Sequence, residues 1–239
     1  TRLVGSEMCI RDRIERKHLK DIINSNLVDG VILLRVSEDD KNTTYLRSID
    51  FPFVVVGRPD NPEEVLWVNN DNISAMYNVV EKLIKKGHRK IGFVGAIENL
   101  NMSKDRFIGY KNALFDNKIS YDESIVVHKD EFIENEGQSA CNELLQNKDI
   151  TAIVTTDDLI AFGIMKELKL KNIDNISIVG FNNTPLSAYQ NPPLATVDIN
   201  AYELGYSAAK LLINNLEGKE HAKRHYIVDT EFIERESFI

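Results

Sequence analysis

The stretch Ile176 to Thr196, ISIVGFNNTPLSAYQNPPLAT, decides how the rest of the chain is read. Its start, with Ile176, Ile178 and Val179, has the composition of a strand buried on both faces, and it ends at Gly180-Phe181. Two amides, Asn182 and Asn183, then stand at the strand's carboxyl end, before a Pro-rich surface loop. In open α/β sheets, ligands bind in crevices at the carboxyl ends of strands. Asparagine side chains there donate and accept hydrogen bonds without adding charge, which suits a sugar-like ligand. The segment points to a small-molecule sensor rather than a catalyst.

Outward from this segment, helix and strand patterns alternate, which predicts parallel sheets covered by helices. Lys17 to Asn26 reads as the end of an amphipathic helix. Gly30 to Val36 (GVILLRV) and Phe53 to Val56 (FVVV) are near-continuous apolar runs of buried strands, and Leu66 to Asn70 is a shorter one. Met76, Val79, Val80, Leu83 and Ile84 form one apolar face at helical spacing, capped at Asp71 or Asn72 and stopped at Gly87. Lys90 to Ala96 resumes strand. Helices follow over Lys104 to Asn117, Asn135 to Asn147, Asp157 to Lys169 and Ala201 to Leu216. Strands are expected at Ser124 to His128, Thr151 to Thr156, Tyr226 to Val228 and Thr230 to Glu234. Two α/β halves imply two lobes with a cleft between them.

Composition narrows the function classes. A 43% hydrophobic and 28% charged chain of 239 residues is an ordinary globular one, and its net charge of −8 disfavours a nucleic-acid surface within it. Cys9 and Cys141 make no disulfide framework, and no Cys/His cluster suggests zinc. No apolar run reaches membrane-span length, and a cytoplasmic location without membrane contact is expected. Thr1 to Arg13 (TRLVGSEMCIRDR) resembles translated adapter read-through and is set aside as an artefactual leader.

The ordered motifs match a family. They are Val28-Asp29-Gly30-Val31-Ile32, Pro52 to Gly57, Asn70-Asp71-Asn72, Gly87-His88, Arg106 to Tyr110, Thr155 to Gly163, Ile178 to Asn182, Pro193 to Val197 and Phe232 to Ser237. From Lys17 to Phe238 the chain resembles the effector-binding core of LacI/GalR-type bacterial transcription repressors. The resemblance implies an α/β, two-lobed periplasmic-binding-protein-like (type I) fold, with parallel sheets flanked by helices. It also implies a missing amino-terminal helix-turn-helix and a missing first strand-helix-strand, which would leave an unpaired edge at Gly30 to Val36 and a poorly stable fragment. The lobes are expected at 14–96 with 197–228, and at 97–196 with 229–239. Asn182 to Ser187 is similar to the maltose-repressor subgroup, which implies maltose or a related α-glucoside as effector.

The ligand-binding residues expected from the resemblance are Asp71, Arg106, Phe132, Asp157 and Asn182. Arg106 offers a planar donor fork for sugar hydroxyls, against the plainer reading of a solvated helix-start arginine. Asp71 accepts from hydroxyls or only caps its helix, and Asp157 stands at a strand-to-helix turn where Asp158 anchors or caps. Phe132 stacks on a sugar face or fills the core. Asn183 holds its loop. His88 reads as structural. Arg16, Lys17, His18 and Lys20, like His221 and His225 beside Lys219, Lys223 and Arg224, read as solvated faces.

The resulting expectation is a sugar-responsive regulator core with no cofactor and no metal. Its partners are a small-molecule sugar effector, a second copy in a homodimer, and operator DNA through the missing amino-terminal domain only. The alternative is the solute-binding protein of a sugar transporter. An enzyme is not expected, because no phosphate-binding loop, nucleophile elbow or metal-binding His pair occurs.

Overall fold

The computed structural model describes residues 15–146, 149–219 and 223–239. The proposed leader, Asn147 and His221 lie outside the described residues. In chain order the elements begin with α1 (15–24), β1 (Val31–Leu33), α2 (Lys41–Ser48), β2 (Phe53–Val56), β3 (Leu66–Asn70), α3 (Asn72–Lys85) and β4 (Ile91–Ala96). They continue with α4 (Asn101–Asp116), β5 (Val126–Lys129), α5 (Glu134–Leu144), β6 (Ala152–Thr155), α6 (Asp158–Leu170) and β7 (Ser177–Phe181). The chain closes with β8 (Ala195–Asp198), α7 (Ala201–Leu216), β9 (His225–Val228) and β10 (Glu231–Ile233).

Two sheets result. One is parallel, in the order β1-β2-β3-β9. The other runs β10-β8-β7-β6-β4-β5 and is parallel except for the β8–β10 pair. Because side chains alternate along a strand, the second sheet feeds two cores. Val94, Ile153 and Ile178 pack under α5 and α6, while Phe93, Val154, Val179 and Phe181 pack under α3 and α4. The first sheet buries Val54, Val68 and Val228 against Leu204, Ala208 and Leu211 of α7. Its other face gathers Val36, Val55, Val65 and Trp67.

Topology moves the lobe boundary. Ile91 to Ala96, grouped by sequence with the amino-terminal lobe, pairs with β5 and β6 in the larger sheet, and α3 packs on α4. The chain therefore first crosses between lobes at Asn70–Asn72, not at Ala96. A single hydrophobic pattern cannot say which sheet a strand joins.

Helix α2 was absent from the sequence expectation because KNTTYLRS carries no broad apolar face. It forms where Asp40 accepts hydrogen bonds from the Asn42 and Thr43 amides and where Leu46 is buried. The edge expected at Gly30 to Val36 coincides with β1, whose one partner among the described residues is β2.

Candidate functional site

The crossings bring the carboxyl ends of both sheets to one cleft of about 450 Å³. The smaller lobe contributes Leu34, Arg35, Val36, Val56, Gly57, Asn69 and Asn70. The larger lobe contributes Asn72, Met102, Arg106, Phe132, Asp157, Asn182, Asn183 and Thr184.

Arg106 lies at the centre, on the second turn of α4. Its side chain is buried, with the guanidinium carbon 3.6 Å from the centre of the Phe181 ring. Nε donates to Asn72 Oδ1 at 2.8 Å and Nη1 to the Thr156 carbonyl at 2.6 Å, while Nη2 reaches Asn182 Oδ1 only at 3.5 Å. Burial pulls its pKa down from 12.5 to about 9, with Asp157, Asp158 and Asp105 opposing the fall. It remains a cation at neutral pH.

Asp157 caps α6 by accepting the Leu159 amide at 2.7 Å, and its other oxygen accepts Asn182 Nδ2 at 2.8 Å. Burial still lifts its pKa from 3.8 to about 6, because these donors and Arg106 only partly replace water. Asn182 sits at φ 106° and Asn183 at φ 49°, a left-handed turn that asparagine tolerates better than most residues.

The neighbouring groups hold this geometry. Asp158 is fully buried and accepts from the Thr184 amide (2.7 Å) and from the Thr184 (3.1 Å), Ser187 (2.8 Å) and Thr196 (2.6 Å) hydroxyls. That is the anchoring role expected of it, extended to the whole Pro-rich loop. Asn183 donates to Asp198 at 2.8 Å and accepts from Arg235 at 2.8 Å, tying the loop to β8 and the carboxy-terminal segment. His88 bridges Thr151 and the Ile239 carbonyl, each at 2.9 Å, well away from the cleft. His225 stacks on Trp67 with ring centres 4.6 Å apart, so it is more than a solvated side chain.

Of the five expected site residues, Arg106, Phe132, Asp157 and Asn182 border the cleft together. Asp71 does not. It is exposed and caps α3, accepting from the Ser74 amide at 2.9 Å and the Ser74 hydroxyl at 2.7 Å. The next residue, Asn72, takes the inward direction, since the first helical position points away from the cap. Sequence reasoning missed Asn72, although it stands in the quoted Asn70-Asp71-Asn72 motif. It also missed Asn69, Arg35 and Thr184, which carry no local pattern.

The cleft thus offers one buried guanidinium, one carboxylate, several amides and the apolar walls of Phe132 and Met102. No cluster of three or more His, Cys, Asp or Glu capable of holding a metal occurs among the described residues.

A periplasmic binding protein-like domain family matches residues 80–238. The transcriptional regulator MalR of Staphylococcus xylosus is 30% identical over 223 residues, which are 92% of this chain and 65% of MalR. The crystal structure of a LacI transcriptional regulator from Bacillus cereus subsp. cytotoxis is 37% identical, with a TM-score of 0.88 over 92% of this chain and 79% of that one. A complex of the transcriptional regulator CelR with cellobiose is 28% identical, with a TM-score of 0.87, covering 94% and 70%. These relatives are regulators rather than enzymes. The chain spans just under two thirds of the length of MalR. By the domain match, and by the identity shared with a solved relative over most of its length, the chain belongs to the LacI family of transcriptional regulators, within its periplasmic-binding-protein-like domain.

Proposed function

We propose that this chain is the effector-sensing core of a sugar-responsive transcriptional regulator. It acts as a cytoplasmic homodimer, and operator DNA is contacted by a part of the protein outside these 239 residues. The observation that carries the proposal is the Arg106 cluster, in which Asn72, Asn182 and Asp157 surround a buried guanidinium at the cleft. Neighbouring sugar hydroxyls both donate and accept, and this set meets them with fixed donors and acceptors. Phe132 supplies an apolar surface for the C–H face of a ring.

Maltose or a related α-glucoside is the effector we favour, from the Asn182 to Ser187 resemblance and the similarity to MalR. That a related regulator, CelR, is held in complex with cellobiose supports a disaccharide-sized ligand. Binding would shift the balance between lobe arrangements by its differential affinity for them. The regulator relatives weigh against the transport-protein alternative.

Titration calorimetry with maltose, cellobiose, trehalose and sugar phosphates tests this. One saturable sugar, lost in Arg106→Ala and Asn182→Ala, is the expected result. A folded chain that binds none of them overturns the sugar assignment.

A further inference from the structure

Two residue pairs on the first turns of α4 face different things. Met102 and Arg106, four apart, border the cleft. Asn101 and Asp105, also four apart but one position earlier, are rotated by about 100° and turn to the smaller lobe. Arg58, which follows the cleft-lining Gly57, meets Asp105 there. Its Nε donates to Asp105 Oδ2 at 3.1 Å and its Nη2 to Oδ1 at 2.7 Å, a two-pronged ion pair. Asp105 is 3% exposed. Asn101 Nδ2 donates to the Arg58 carbonyl at 2.8 Å and to Asp60 Oδ1 at 3.0 Å. Beside them the backbone of the two lobes is joined directly. Ser37 bridges Leu100, the Glu38 amide donates to the Asn99 carbonyl at 3.1 Å, and the Asn101 amide to the Val36 carbonyl at 3.2 Å.

We propose that Arg58 and Asp105 are positioning residues of the cleft, forming a latch across the lobes that sets their closed spacing. The proposal rests on the reading of the cleft as an effector site. While the lobes are together, the charge partner from the opposite lobe offsets the cost of burying the Asp105 carboxylate. Removing Arg58 leaves that carboxylate unpaired, and opening the lobes is the way to rehydrate it. Asp105 and Arg106 are consecutive on one helical turn, so closure and the grip on the effector move together. If the closed arrangement falls to a tenth of the population, affinity falls about tenfold without any change in the cleft's own contacts.

The test is an interlobe distance measured without sugar on the full chain. Spin labels go at Lys41→Cys on α2 and Asn112→Cys on α4, both exposed positions, in a Cys9→Ser background. Cys141 stays unlabelled, since it is fully buried and burial pushes its thiol up to about 12. The expected result is a narrow distance distribution that lengthens and broadens in Arg58→Ala and in Asp105→Asn, with cooperative melting retained. Asn182→Ala, which leaves the latch alone, keeps the narrow distribution. An Arg58→Ala distribution superimposable on that of the unmodified latch overturns the proposal. Arg58 is half exposed and leaves no core void, so it decides the matter if Asp105→Asn fails to fold. A latch-dependent distance in a protein that binds no sugar upholds the latch and removes the sugar reading alone.

Discussion

Asp157 and Arg106 hold the two charges that burial in the cleft penalises most clearly, and they respond to it differently. The arginine stays ionised at about 9, whereas the aspartate, at about 6, titrates close to neutrality. With its folded pKa above the unfolded 3.8, Asp157 binds its proton more tightly in the folded chain. The stability this gives is present below pH 3.8 and is lost as pH rises through about 6, up to about 3 kcal/mol in all. Asp157→Asn is therefore expected to raise the melting temperature of the ligand-free chain at pH 7 and to flatten its dependence between pH 4 and 6, as read by circular dichroism. The same substitution should weaken sugar binding, because a carboxylate accepts hydroxyl protons better than an amide does. Arg106→Lys keeps the charge but loses the fork that spans Asn72 and Thr156. Calorimetry should show sugar affinity at least tenfold lower, about 1.4 kcal/mol.

At the scale of elements, the cleft depends on how closely α4 lies on α3. A Cβ on Gly109 would overlap the Ile73 carbonyl, one turn from the Arg106–Asn72 contact. Gly205, on the exposed side of α7, has open space around its missing Cβ. Gly109→Ala should cost about 1–3 kcal/mol despite alanine's better helix propensity, while Gly205→Ala should gain about 0.5–1 kcal/mol. Urea unfolding of both variants separates a backbone contact from mere helix preference. The sheets make a comparable contrast. Strand β1 has β2 on one side alone among the described residues, whereas β3 lies between β2 and β9. Hydrogen exchange should be fastest in Val31–Leu33 and slowest in Leu66–Asn70 and Ile91–Ala96, a difference that would vanish if β1 were covered in solution.

Across the whole molecule, the cleft belongs to neither lobe, so a bound effector stabilises both together. A sugar at a hundred times its dissociation constant adds about 2.7 kcal/mol to the folded state. Its thermal transition should rise accordingly, and the rise should vanish in Asn182→Ala. If the proposed latch holds, Arg58→Ala should reduce that rise, although the Arg58–Asp105 pair does not line the cleft.

The sequence alone determined the class and all the named elements but α2 and β8, since continuous apolar runs such as FVVV and the helical spacing of Met76 to Ile84 depend on local periodicity. The ordered motifs added the two-lobed fold and four residues that the structure brings to one cleft. Tertiary structure decided what periodicity does not encode. It assigned Ile91–Ala96 to the larger sheet, because either sheet could accept that strand. It placed Asn72 rather than Asp71 at the cleft, because a helix cap and the residue after it point in different directions. It paired Arg58 with Asp105 across 47 positions of sequence, a contact that exists only where two lobes meet.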